Sequence, residues 1–150
     1  MNTRRSHQRT WIDISEGEVI PPHIEALDVE RVIAGATATR TFFGGHIDPE
    51  YARSQGRSHI YMATGPILGL LDRYVTDWAG PLAFLRKRSV KMADSLYAGT
   101  TIRIDGVVTR KWAEDRGARA DDLIEIEITI RNEAGVPCVT ATAHFAVPAA

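Results

Sequence analysis

Histidine is the side chain in this 150-residue sequence best suited to moving protons near neutral pH, since an unperturbed imidazole titrates at about 6.5. Of the five histidines, His7, His23, His59 and His144 stand in no pattern that suggests chemistry. His46 does: it follows Gly44-Gly45 and precedes Asp48-Pro49-Glu50. The glycines give the backbone freedom for a ligand to approach closely, or for a plain turn. Asp48 and Glu50 are carboxylates within reach in sequence, but Asp48 reads as a helix N-cap and Glu50 as a first-turn acid complementing the helix dipole. A second feature is the corner Ala63-Thr64-Gly65-Pro66, and a third is the basic cluster Arg86, Lys87, Arg88 and Lys91, which reads first as a solvated strand edge.

The elements that must position these residues fall into two halves. In the first, Ile67, Leu70, Leu71, Tyr74, Val75 and Trp78 recur at intervals of three and four, opened by Thr64-Gly65-Pro66 and closed by Ala79-Gly80-Pro81. The spacing predicts a helix of about four turns, apolar around most of its circumference and therefore enclosed. A shorter helix is expected from Pro49 toward Gly56, and a further strand over Ile24 to Ala38. In the second half the period is two. Ile102, Ile104, Gly106 and Val108 share one face, as do Ile124, Ile126, Ile128 and Ile130; Val139, Ala141, Ala143, Phe145 and Val147 alternate with Thr140, Thr142 and His144. This predicts an antiparallel meander, with a hairpin loop over Ala113 to Asp122, a turn at Asn132 to Gly135 and one more strand over Phe84 to Met92. His144 then lies on a polar face. A long helix followed by such a sheet predicts an α+β domain in which the antiparallel sheet wraps around a long central helix.

Composition bounds the function. With a net charge of -1, 44% apolar and 25% charged residues, the chain carries no overall electrostatic footprint for nucleic acid or an anionic membrane. No apolar run is long enough to span a bilayer. Cys138 is the one cysteine, which excludes an internal disulfide and a Cys-rich zinc site and fits a reducing cytoplasm. Residues 1–15 read as an N-terminal tail, frayed over Met1 to Thr10, and 16–150 as one domain.

The stretch from Ala38 to Ala52 (ATRTFFGGHIDPEYA) resembles the hydratase motif of the MaoC-like dehydratases, or (R)-specific enoyl-CoA hydratases, a hotdog-fold family acting on acyl-CoA thioesters. His46 and Asp48-Pro49-Glu50-Tyr51-Ala52 match the later part of that motif; the catalytic Asp, five residues before the His, falls on Thr41. Ile60-Tyr61-Met62, Gly69-Leu70-Leu71 and the run Arg73 to Pro81 are similar to an actinobacterial branch in which two MaoC-like chains pair, several of them in sterol side-chain breakdown. Tyr97-Ala98-Gly99-Thr100-Thr101 resembles the family's Tyr-x-Gly-Asp-Thr with its acid replaced. The likeness spans Glu16 to Val147.

The resemblance implies hydration or dehydration of an enoyl thioester. That chemistry needs a base for water, an acid for the alpha carbon and donors for the enolate oxygen. His46 takes the histidine role; Thr41 can orient water but cannot ionise near neutrality. The N–H of Gly65, with Thr64, takes the oxyanion role. Phe42, Phe43 and Gly45 line the substrate, the two rings narrowing the site or serving as core aromatics, while Arg86 and Arg88 meet the CoA phosphates. No metal and no cofactor beyond the substrate's own CoA is implied. The expected partner is the acyl-CoA and a second subunit, in a homodimer or a heteromer with another MaoC-like chain. Two alternatives stay open: a catalytically degenerate partner subunit of such a heteromer, and an acyl-CoA thioesterase.

Overall fold

The computed structural model describes residues 7–115 and 120–149. Among them, five strands form one antiparallel sheet: β1 (Val19–Leu27), β2 (Phe84–Met92), β3 (Thr100–Asp115), β4 (Ala120–Arg131) and β5 (Pro137–Val147), in the spatial order β1-β3-β4-β5-β2. Between β1 and β2 come the helices α1 (Val29–Ala38), α2 (Gly44–Ile47), α3 (Pro49–Ser54) and α4 (Thr64–Ala79).

The sheet follows the period-two pattern. Ile104 on β3 sits opposite Ile130 on β4, and Val108 opposite Ile126, all buried on one face. On β5, Val139, Ala141, Ala143, Phe145 and Val147 are buried beside them while Thr140 is exposed. A one-residue slip would turn every one of these side chains to water, so the pattern sets the register. Helix α4 lies on that face with Ile67, Leu70, Leu71, Tyr74 and Val75 buried, the helical spacing read from the sequence. Each such side chain contributes about 1.5–3 kcal/mol of burial. Gly80 closes the helix at φ 105°, a backbone conformation natural to glycine, and donates its N–H to the Thr76 carbonyl.

Several expectations are corrected. The strand expected over Ile24 to Ala38 is two elements: β1 ends at Leu27, and Val29–Ala38 is helical. Asp28 caps that helix, accepting the Arg31 N–H at 2.6 Å, and Val32 and Ala36, four apart, are its buried residues. The small Ala34, Gly35 and Ala38 masked this spacing. Pro21-Pro22 is tolerated in β1 because the strand is an edge, and the ladder shifts register between Ile20 and His23. The hairpin loop expected over Ala113 to Asp122 is shorter, since β3 runs to Asp115 and β4 starts at Ala120; its tip lies outside the described residues.

The N-terminal segment from residue 8 is docked, not frayed. Arg9 N–H donates to the Ala79 carbonyl and Trp11 N–H to that of Pro148, and Ile14 is part of the core. Nor is α4 enclosed all round: two hollows of about 370 and 340 Å³ border it, sharing Leu70 and Arg73.

Candidate active site

Helix α2 is one turn long and carries His46, which is only 9% exposed. Its Nδ1 lies 2.8 Å from the Tyr61 carbonyl oxygen. A carbonyl only accepts, so Nδ1 carries the hydrogen and donates, which leaves Nε2 of the neutral ring with its lone pair. The ring is held edge-on between Phe43 (centroids 5.4 Å apart) and Tyr61 (4.9 Å). The turn itself is tied to the next segment, because the Tyr61 N–H donates to the Gly45 carbonyl at 3.1 Å. That close approach explains Gly45: a Cβ there would stand 2.7 Å from the Tyr61 hydroxyl and 2.8 Å from the Phe43 ring. What approaches this glycine is the protein's own aromatic shell. Asp48 does cap α3, its Oδ1 accepting the N–H groups of Glu50 and Tyr51.

The segment that holds His46 is paired in turn with the one that follows β2. Ala98 N–H donates to the Ile60 carbonyl, Tyr61 bridges Tyr97, and Met62 N–H donates to the Leu96 carbonyl. This short ladder brings His46 to a cleft of about 280 Å³ whose walls include Arg57, Tyr61, Thr64, Ile67, Met92 and Asp94. Thr64 opens α4, whose N-cap residue Ala63 provides no side-chain cap. The first N–H groups of a helix have no intrahelical partner, and together with the helix dipole they favour a negatively charged oxygen.

The sequence-derived residues are distributed as follows. His46 and Thr64 meet at the cleft. Gly65 packs against Thr39, a Cβ there being 2.9 Å from the Thr39 methyl, and is not among the cleft's walls. Thr41 is held apart as well: its N–H donates to the Ala36 carbonyl and its hydroxyl lies 3.1 Å from that of Thr39. Between these two threonines Arg40 has φ 53°, a left-handed conformation costing about 1 kcal/mol or more in a non-glycine residue. Phe42 and Phe43 are exposed, 65% and 46%, and so are not core aromatics; they flank the histidine turn from outside.

The basic cluster is divided. Arg88 faces inward, where its guanidinium pairs with Asp72 on α4 and donates to the Leu68 carbonyl, so it is not a solvated edge charge. Arg86 stacks over Phe84, 4.8 Å from the ring centroid. His144 is half-buried with its Nε2 2.9 Å from Glu125, rather than freely solvated.

Sequence reasoning missed Arg57 and Asp94. Arg57 lies over the Tyr61 ring, and a hydrogen bond to the Tyr97 side chain, with the charges of the tyrosines and of Asp94, holds its guanidinium further above its ordinary range. No signal could have placed either residue, because the cleft joins loops far apart in sequence.

An antiparallel sheet cradling one long helix, with a histidine turn set at that helix's N-terminus, defines a hotdog-fold domain with an acid–base cleft. No protein-family model matches the chain. A search of characterised proteins finds 34% identity over 131 residues, 87% of this chain and 95% of the relative, with the 3-oxo-4,17-pregnadiene-20-carboxyl-CoA hydratase beta subunit of Mycobacterium tuberculosis. The chain therefore belongs to the MaoC-like dehydratase and (R)-specific enoyl-CoA hydratase family of hotdog proteins.

Among solved structures, a chain of the ChsH1–ChsH2 complex of Mycobacterium tuberculosis superposes with a TM-score of 0.78 at 32% identity, covering 89% of this chain and 98% of that one. The (R)-hydratase PhaJ1 of Pseudomonas aeruginosa gives 0.82 at 13% identity over 94% of this chain and 86% of its own, a likeness of fold.

Proposed function

We propose that the chain is an enoyl-CoA hydratase or dehydratase whose reaction takes place in the His46 cleft. The observation that carries this reading is the anchored imidazole. With Nδ1 donating to the Tyr61 carbonyl, Nε2 is the nitrogen free to take a proton, and Thr64, at the uncapped start of α4, borders the same cleft. In the forward direction Nε2 takes a proton from water as the water oxygen bonds to Cβ. The C=C electron pair moves toward the thioester, whose oxygen is met by the Thr64 N–H at the head of α4. The imidazolium then returns its proton to Cα, and the ring is neutral again. The CoA enters as part of the substrate, and the reading assigns no further cofactor. As the related beta subunit acts on a pregnadiene carboxyl-CoA, a bulky enoyl-CoA is the substrate class to test beside a short one.

A second reading rests on Thr41, which stands at the family's Asp position. Under it the chain is the degenerate partner of another MaoC-like chain that brings its own Asp and His. The similarity to one chain of a two-chain complex supports this arrangement. A homodimer serves the first reading and a heteromer the second, in the cytoplasm in either case; among the described residues no helix is long and apolar enough to cross a membrane.

The test is hydration of crotonyl-CoA and of a bulkier enoyl-CoA by the purified chain. His46→Ala is expected to lower the rate by about 10² to 10⁴, the usual worth of a general acid–base group. Unchanged turnover in that variant would remove His46 from the reaction.

A further inference from the structure

Resting on the hydratase reading, the site still lacks the group that in this family shares the water with histidine, because Thr41 cannot ionise and is bound to Thr39. We propose that Asp94 fills this role from a different part of the chain, as the one carboxylate among the described residues that wall the His46 cleft.

The backbone explains how the two meet. Tyr61, whose carbonyl holds His46, is the middle rung of the ladder between residues 60–62 and 96–98. Asp94 lies two residues beyond the last rung, Met62 to Leu96, where the chain passes the start of α4. Its main chain is fixed from behind, since the N–H groups of Ala93 and Asp94 both donate to the Cys138 carbonyl, at 2.8 and 3.2 Å. Its Oδ1 accepts the Ser95 N–H at 2.7 Å. That bond orients the carboxylate and leaves Oδ2 as the oxygen to receive a hydrogen bond from water. The plainer role, a local side-chain turn at the end of β2, uses Oδ1 alone.

The step balances without further reactants. Water is held by Asp94 through one hydrogen and by His46 Nε2 through the other. The second proton passes to Nε2 while oxygen bonds to Cβ, and it returns to Cα from the imidazolium. Asp94 keeps its charge throughout and offsets that of the transient imidazolium.

The experiment compares crotonyl-CoA hydration by wild type, Asp94→Asn, Asp94→Glu, His46→Ala and Thr41→Asp. Asp94→Asn keeps an oxygen for the Ser95 N–H, so folding is preserved, which thermal melting checks. The expected result is a fall of about 10² in kcat for Asp94→Asn, with KM within about threefold and partial rescue by Asp94→Glu. A merely structural role would not give that split. Asp94→Asn within about threefold of wild type, beside an inactive His46→Ala, overturns the role of Asp94 and leaves the hydratase reading standing. A silent wild type with a gain in Thr41→Asp overturns it in favour of the partner-subunit reading. Silence in every variant overturns both the role of Asp94 and the hydratase reading of the chain alone.

Discussion

The imidazole of His46 is held by the main-chain carbonyl of Tyr61, 2.8 Å from Nδ1, and the Tyr61 N–H in turn reaches back to the carbonyl of Gly45. The proton on Nδ1 is therefore fixed by backbone, which no side-chain substitution at residue 61 removes. Its position depends instead on how closely two chain segments approach at Gly45.

Gly45→Ala puts a methyl carbon 2.7 Å from the Tyr61 hydroxyl and 2.8 Å from the Phe43 ring. Tyr61 must shift, and the imidazole with it. Because a displacement of about 1 Å at a reacting group can cost about 10²-fold, the expected outcome is a loss of hydration of at least about tenfold in a folded protein. Combining it with Tyr61→Phe, which removes the hydroxyl 2.7 Å from the new methyl, is expected to recover part of the rate. Steady-state kinetics on both variants checks this.

Arg57 is the one cation among the described residues that wall the His46 cleft, and it is exposed there. Its replacement by Ala removes a charge from the path by which an anionic CoA thioester enters. KM is expected to rise about tenfold, as for the loss of a charge-assisted contact. A kcat within about threefold of wild type is expected alongside; a fall in kcat with unchanged KM would give Arg57 a different role.

Arg88 and Asp72 join the edge strand β2 to the central helix from partly buried positions, 19% and 35% exposed. Truncating either one leaves its partner half-desolvated, so Arg88→Ala and Asp72→Ala are each expected to cost about 2 kcal/mol, read by denaturant unfolding. The double variant should cost clearly less than the sum of the singles, since the second truncation removes the stranded charge.

Tyr74 is buried under the sheet, and that burial pushes its phenol from 10.0 up to about 12. Between those values the unfolded chain gives up a proton that the folded protein keeps, so stability falls as pH rises from about 10. Tyr74→Phe removes this slope, worth about 2–3 kcal/mol by pH 12. At neutral pH the same variant loses the 3.3 Å hydrogen bond to the Ile20 carbonyl, a cost of about 1 kcal/mol. Wild type is thus the more stable protein at pH 7 and the less stable at pH 12, a crossing that urea unfolding at the two pH values would reveal.

The regular elements were legible in the residues because periodicity is local. Ile124, Ile126, Ile128 and Ile130 could alternate in only one way against a core, and Thr64 to Ala79 carried its apolar spacing together with its start and stop signals. Asp48 announced α3 by capping chemistry that spans three residues. Helix α1 was less legible, because small residues bury little and so leave a faint pattern.

His46 was visible as well, through its neighbours in the chain. The walls of its cleft were not. Arg57 and Asp94 come to it from loops joined by the 60–62 and 96–98 ladder, and Arg88 turns inward because Asp72 waits on a helix sixteen residues earlier. Local sequence specified which segments become helix or strand and which face each would bury. Which side chains share a cleft depends on how distant segments pack once those faces are covered, and that only the tertiary structure decided.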